Sequence, residues 1–142
     1  MADTRARRSR SLLALGLLVT VGVLTGCGDG GDGVVAADEV EVLVAEPVDG
    51  SMDALLTGRL VVVDGCLGVE AGETGDRVVV IWPHGTEVTD ADGPTIDLPG
   101  EGELGIGDAV RVGGGGVEDG SGAGLEVPAS CRDRAPWLAS GE

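Results

Sequence analysis

Short apolar runs separated by Gly, Asp and Pro recur along the chain after residue 57. The two clearest runs, 59–63 and 77–82, are rich in β-branched residues and are bounded by turn-forming residues, as strands are. Shorter runs of the same kind lie at 95–98, 109–113 and 124–127. No window of helical length there shows the helical period, although 51–56 has room for one helical turn. The pattern therefore predicts an all-β domain over residues 51–142.

Five or six short strands joined by Gly-rich turns are typical of a small closed sheet. We expect a five- to six-stranded OB-like or SH3-like barrel. Residues 105–114, GIGDAVRVGG, resemble a strand entry that recurs in such barrels. In this entry Gly107 permits a tight turn, and the Asp108 carboxylate can accept hydrogen bonds from local backbone amides before the strand begins.

The N-terminus has the pattern of an export signal. Four Arg and a single Asp lie within residues 1–11, and thirteen mostly apolar residues follow at 12–24. A helix of that length spans only about 20 Å, short of the ~30 Å hydrocarbon core of a membrane. A buried core helix or a short membrane anchor is the alternative. The pair Arg7-Arg8 raises the twin-arginine route, but no aromatic-Leu pair follows it, so general secretion is favoured.

The motif at the end of this segment, Leu24-Thr25-Gly26-Cys27, resembles the lipobox of bacterial lipoproteins. The resemblance implies a signal peptide at 1–26, cleavage before Cys27 and a diacylglycerol on the Cys27 thiol. Such a chain is anchored in the cell membrane and faces the extracytoplasmic side, and several acyl chains make the anchor durable. An ordinary structural Cys beside a conventional cleavage site is the alternative.

A Gly- and Asp-rich stretch, 28–33, follows the lipobox and has nothing to bury. Residues 27–50 are therefore expected to form a flexible acidic tether, with a possible edge strand at 39–44. The whole chain has a net charge of −16, and removal of 1–26 leaves five Arg against 24 acidic residues, a net charge of −19. This acidity excludes nucleic acid as a partner. It favours solubility, although divalent cations are an alternative partner.

The domain from 57 to 127 also resembles small uncharacterised lipoproteins of high-GC bacteria. Four features carry this resemblance: Asp64-Gly65-Cys66-Leu67, Trp82-Pro83-His84-Gly85, Gly107-Asp108-Ala109-Val110 and the late Cys131. The resemblance implies an architecture and a location but no activity.

With Cys27 lipidated, Cys66 and Cys131 remain as an even pair in an exported domain. We expect them to form a disulfide, with reduced structural thiols as the alternative. The bridge would close a loop of about 65 residues and stabilise the domain by roughly 4 kcal/mol on the chain-entropy model. The chain has no Phe or Tyr and only two Trp, so its core is thin and gains much from a covalent link.

The remaining residues with chemical potential are few. His84, the only His, could join Cys66 and Cys131 in a soft-metal site, but without metal-ligand spacing a surface turn is the simpler interpretation. The segment 90–93 is interpreted as a turn between strands and not a calcium loop, and 113–116 as a hairpin or bulge and not a phosphate loop. Trp82 is expected in the core, with an exposed ligand anchor as the alternative.

The sequence thus predicts no catalytic residues, no cofactor and no enzyme. The expected function is that of a non-catalytic binding or interaction module of the cell envelope. Its partners would be the membrane, through the lipid on Cys27, and an envelope protein or small ligand. The alternative function is an envelope metal-binding protein that uses His84 and the Cys residues or the acidic surface.

Overall fold

The computed structural model describes residues 33–37, 39–89 and 93–141. The predicted signal peptide, the lipobox with Cys27, and most of the 90–93 turn lie outside the described residues. The described residues form strands and two short 3-10 segments, with no α-helix among them, so the all-β prediction is confirmed. None of the helical segments described is long and apolar enough to cross a membrane.

The strands of the described chain are numbered in sequence order. They are β1 (Gly33–Ala37), β2 (Val40–Val44), β3 (Ala54–Val63), β4 (Cys66–Ala71), β5 (Arg77–Trp82), β6 (Glu87–Thr89), β7 (Thr95–Leu98), β8 (Gly102–Gly105), β9 (Ala109–Gly116) and β10 (Trp137–Ala139). The 3-10 segments, Ser121–Ala123 and Ala129–Cys131, both lie in the connection between β9 and β10.

Seven strands form a mixed sheet in the order β1-β2-β4-β3-β9-β10-β5. Strand β5 also pairs with β4. Five strands therefore form a closed succession in which each strand pairs with the next, in the order β3, β4, β5, β10 and β9. The succession closes because β9 pairs again with β3. Within this succession only β5 and β10 run parallel, and the other pairs are antiparallel. Strand β2 pairs with the start of β4 and with the end of β5.

The remaining strands, β6, β7 and β8, form a separate antiparallel sheet between β5 and β9 in the chain. Ile96 and Leu98 of β7 are buried in the same apolar cluster as Leu60 and Trp82 of the larger sheet. The small sheet therefore covers one face of the larger sheet.

The larger sheet is buried on both faces along β2, β4 and β5, whereas β3 and β9 expose alternate residues to solvent. Along β5, Val80 and Trp82 point to the cluster that β7 covers, while Val79 and Ile81 belong to a second cluster with Val127 and Cys131. Residues in a strand alternate between faces, so a strand covered on both sides needs a continuous apolar run. This explains the sequence VVVIW, and it places Trp82, which is fully buried, in the core as predicted.

Two strands have the predicted bounds, β5 at 77–82 and β7 at 95–98. Residues 51–56, which had room for one helical turn, do not form it, because residues 54–56 extend β3 along β9. No strand forms at 124–127, because Gly124 adopts a left-handed φ of 73° and Val127 packs into the second cluster. Residues 27–50, expected as a tether, contain β1 and β2, whose apolar residues enter both clusters.

The turn before β9 follows the sequence interpretation. The Gly105 amide donates a hydrogen bond of 2.8 Å to the Asp108 carboxylate, which confirms the predicted role of that residue. Gly107 adopts a φ of 93°, a left-handed conformation that suits Gly. The four Gly at 113–116 lie within β9 and do not form a phosphate loop.

Candidate functional site

The connection between β9 and β10, residues 117–136, is a compact loop on the second cluster. Its ends are tied together because the Val117 amide donates to the Pro136 carbonyl over 2.9 Å. Its middle is tied to the sheet because the Glu46 amide donates to the Ala123 carbonyl over 2.9 Å. A Cβ at Gly120 would lie 2.6 Å from the Leu125 carbonyl oxygen, so only Gly allows this tight fold.

A disulfide between Cys66 and Cys131 fixes the connection to the start of β4. The two Cα atoms are 5.8 Å apart and the residues are separated by 65 positions. Both Cys are fully or almost fully buried, with exposures of 0% and 1%. The pairing is the one that the sequence predicts, and it anchors the second 3-10 segment to the core.

Glu41 of β2 lies beside this disulfide. One carboxylate oxygen, Oε2, is 3.2 Å from Sγ of Cys131 and 3.8 Å from Sγ of Cys66. The same oxygen accepts a hydrogen bond of 2.5 Å from the exposed Ser130 hydroxyl. Sequence reasoning missed Glu41, because only the single pairing of Glu41 with Cys66 between β2 and β4 brings it there. In the sequence, the one sign that Glu41 has a special position is that it lies between apolar residues of a strand.

The connection also lines a cavity of about 580 Å³ that is partly open to solvent. Its apolar wall is formed by Leu125, Val127 and Pro136. Its polar residues are three acids, one base and one hydroxyl: Glu118, Asp119, Glu126, Arg132 and Ser121. All of these residues come from the β9–β10 connection, so one segment of the chain builds the whole site.

Hydrogen bonds organise the polar side of this cavity. The Arg132 guanidinium donates to the Val127 carbonyl over 2.5 Å and to the Glu126 carboxylate over 3.1 Å. The Ser121 hydroxyl and amide donate to one oxygen of Asp119 over 2.6 and 2.9 Å. These two bonds stabilise the charged carboxylate, which lowers the pKa of Asp119 below its usual value. The site thus holds three carboxylates against one guanidinium that is already in an ion pair.

This set of groups is suited to binding. The carboxylates can accept hydrogen bonds from a positively charged group, while the apolar wall offers surface for a carbon skeleton. Among the described residues that line the cavity, Ser121 supplies the hydroxyl, and this hydroxyl donates to Asp119.

The other candidates lie elsewhere. His84 is an exposed residue of the turn after β5. Among the described residues, the group with metal-ligand potential consists of Glu41, Cys66 and Cys131, and His84 is not part of it. A second, smaller cavity of about 380 Å³ lies near Leu55, Arg111 and Ser140.

Compared with protein-family models, curated proteins and solved structures, the chain shows no match.

Proposed function

We propose that this chain is a lipoprotein of the cell envelope whose β-domain is a non-catalytic binding module. The anchor is a diacylglycerol joined to the Cys27 thiol, cleavage of the signal peptide after Gly26 makes Cys27 the first residue, and the domain faces the extracytoplasmic side. The sequence of residues 1–27 supports the anchor, and the buried disulfide fits an oxidising compartment.

The domain is an OB-like barrel in this proposal. Its support is the closed succession β3-β4-β5-β10-β9. Counted in chain order, the first of these five strands, β3, pairs with the second, β4, and with the fourth, β9. In OB-folds, the connection between the fourth and fifth barrel strands contributes to ligand binding. Here that connection is the β9–β10 segment, and the small sheet β6-β7-β8 is inserted between the third and fourth barrel strands.

The observation that carries the proposal is the cavity within the β9–β10 connection. Its volume of about 580 Å³ falls in the range of small-molecule sites, which is roughly 300–1,000 Å³. The disulfide and the hydrogen bonds at Val117 and Glu46 hold its walls in place before any ligand arrives. A preformed site loses less entropy on binding, so this rigidity favours affinity.

The ligand is a small molecule or peptide side chain with a positively charged end and an apolar body. The three carboxylates would accept from the charged end, and Leu125 with Pro136 would contact the body. A mature net charge of −19 also attracts cations over a distance, which raises the rate of encounter.

Photo-crosslinking in living cells tests this function directly. A photoreactive amino acid replaces Ser121 in the full chain, and a matched chain carries it in place of Glu103, an exposed residue of β8. We expect one defined adduct from position 121 that is lost when Leu125→Trp fills the cavity. Equal adducts from the two positions, or none from position 121, would refute the binding function.

A metal-binding function is the second candidate, and one observation favours it: Glu41, Cys66 and Cys131 lie together. This group takes the place of the His84-based site that the sequence analysis kept as an alternative, since His84 is not part of it.

A further inference from the structure

Three potential metal ligands from different parts of the chain meet at one point. Glu41 comes from β2, Cys66 from the start of β4 and Cys131 from the second 3-10 segment. Their ligand atoms all lie within 4.8 Å of one another. The two Cys are buried in the second apolar cluster, while Glu41 is only partly buried and borders the exposed Ser130.

We propose that the reduced chain binds one Zn²⁺ ion through Glu41 Oε2 and the two Cys thiolates. The disulfide and the metal then become alternative links between β4 and the β9–β10 connection. This inference rests on the metal-binding function named above as the second candidate, and it is independent of the binding function of the β9–β10 cavity.

Two of the three distances between the ligand atoms are close to those of a tetrahedral zinc centre, and the third, between the two sulfur atoms, must lengthen when the disulfide is reduced. With Zn–S near 2.3 Å and Zn–O near 2.1 Å, a tetrahedron places oxygen about 3.6 Å from each sulfur. The Glu41 oxygen lies 3.2 and 3.8 Å from the two sulfur atoms, on either side of that value. Only the sulfur atoms must move, because a tetrahedron holds them about 3.8 Å apart.

The surroundings allow that movement and provide access. The separation of 5.8 Å between the two Cα atoms leaves room for the sulfur atoms to part by rotation about their side-chain bonds. Ser130 is exposed and its hydroxyl bonds to Glu41, so the ion can approach from that side. The fourth position is open to a water molecule or to the Ser130 hydroxyl, as zinc sites with three protein ligands keep one.

The change between the two forms is a balanced thiol–disulfide exchange. A dithiol reductant attacks one sulfur, two electrons and two protons pass to the Cys pair, and the reductant leaves as its own disulfide. Zn²⁺ then replaces the two thiol protons, which are released to water. In the reverse direction, a disulfide oxidant takes two electrons from the two thiolates and two protons from water, it leaves as its own dithiol, the Cys66–Cys131 bond forms again, and Zn²⁺ is released.

Metal binding by the full chain tests the inference. The chain is reduced with a phosphine under anaerobic conditions and titrated with Co²⁺, a spectroscopic substitute for zinc, and then with Zn²⁺ against a coloured chelator. We expect one ion per reduced chain, with thiolate-to-Co²⁺ absorption that is absent from the oxidised chain. Loss of a residue that only hydrogen-bonds to a metal ligand weakens metal binding by about tenfold or more. Glu41→Gln removes a ligand itself, so it should weaken Zn²⁺ binding by at least about tenfold.

The controls separate this site from the acidic surface. Glu39→Gln removes the same charge from the same β1–β2 hairpin and should leave affinity unchanged. The variant Cys66→Ser with Cys131→Ser should lose the thiolate absorption and the tight site. If the reduced chain unfolds, circular dichroism must show that Zn²⁺ restores the β signal. Three outcomes would overturn the proposal: the oxidised and reduced chains bind Zn²⁺ equally, the two Gln variants have equal affinity, or a reduced chain that has unfolded does not refold with Zn²⁺.

Discussion

Replacing Gly68 by Ala should destabilise the domain strongly, because β4 and β5 approach each other closely at this residue. Gly68 is in the middle of β4 and pairs with Val61 of β3 and Val79 of β5. A Cβ at this position would lie 3.0 Å from the Val78 carbonyl carbon and closer still to its oxygen. It would also lie 3.0 Å from a methyl group of Val63.

The size of the effect follows from these contacts. Non-bonded carbon atoms rest about 3.5–4.0 Å apart, so β5 must move away by at least ~0.5 Å. Overpacking of this kind costs about 1–3 kcal/mol, and each weakened ladder hydrogen bond adds about 1 kcal/mol. Ala recovers only about 0.5–1 kcal/mol of backbone entropy. The net loss is about 2–3 kcal/mol, which lowers the Tm of a domain of this size by roughly 10–20 °C.

Thermal and urea unfolding of the purified oxidised chain measure this loss, with Gly116→Ala as the matched control. A Cβ at Gly116 meets no atom within 4 Å, and Gly116 is also in a strand of the same sheet. We expect that control to stay within about 0.5 kcal/mol of the wild type. If Gly68→Ala unfolded within 2–3 °C of Gly116→Ala, the close approach of β4 and β5 would be refuted.

Three further predictions concern other parts of the chain. The variant Cys66→Ser with Cys131→Ser should lose about 4 kcal/mol in urea unfolding, as a bridge across 65 positions predicts, and a loss under 1 kcal/mol would argue against a stabilising bridge. Ser121→Ala should raise the pKa of Asp119 towards its ordinary value in an NMR titration. The two hydrogen bonds that lower this pKa both come from Ser121, and the variant loses the bond from the hydroxyl but keeps the bond from the amide. The stability from this lowered pKa is present above the ordinary carboxyl pKa and disappears as the pH falls through the lowered value, so the variant should lose less stability than the wild type over that acid range. Cys27→Ala should abolish palmitate labelling in cells, and unchanged labelling would contradict the lipid anchor.

Those parts of the fold that are encoded locally could be predicted from the sequence. The run at 77–82 is apolar on both faces and bounded by Asp76 and Pro83, so its limits match β5. The disulfide could be inferred because two Cys remain after the lipobox. The Asp108 turn was likewise visible, since its hydrogen bond spans only three residues.

Features that depend on distant pairing could not be predicted. Strand β10 has only three residues and follows Pro136, so nothing in its own sequence distinguishes it from a loop, and its pairing with β5 and β9 defines it. Glu41 likewise resembles any polar residue in an alternating strand until its pairing with Cys66 is known. The cavity depends on the path of the whole β9–β10 connection, which contains no long periodic run.

The position of β10 after all the other described strands has a consequence for folding. The succession of paired strands closes only when residues 137–139 join β5, although β3, β4 and β5 are complete more than fifty residues earlier. Synthesis delivers the N-terminal strands first, so the edge of β5 stays unpaired until the last strand is available. Such non-local closure is slow, since the entropy of ordering the chain is lost before the contacts form. We therefore expect the rate-limiting folding step to be the docking of the C-terminal segment, late and sensitive to any shortening of the chain end.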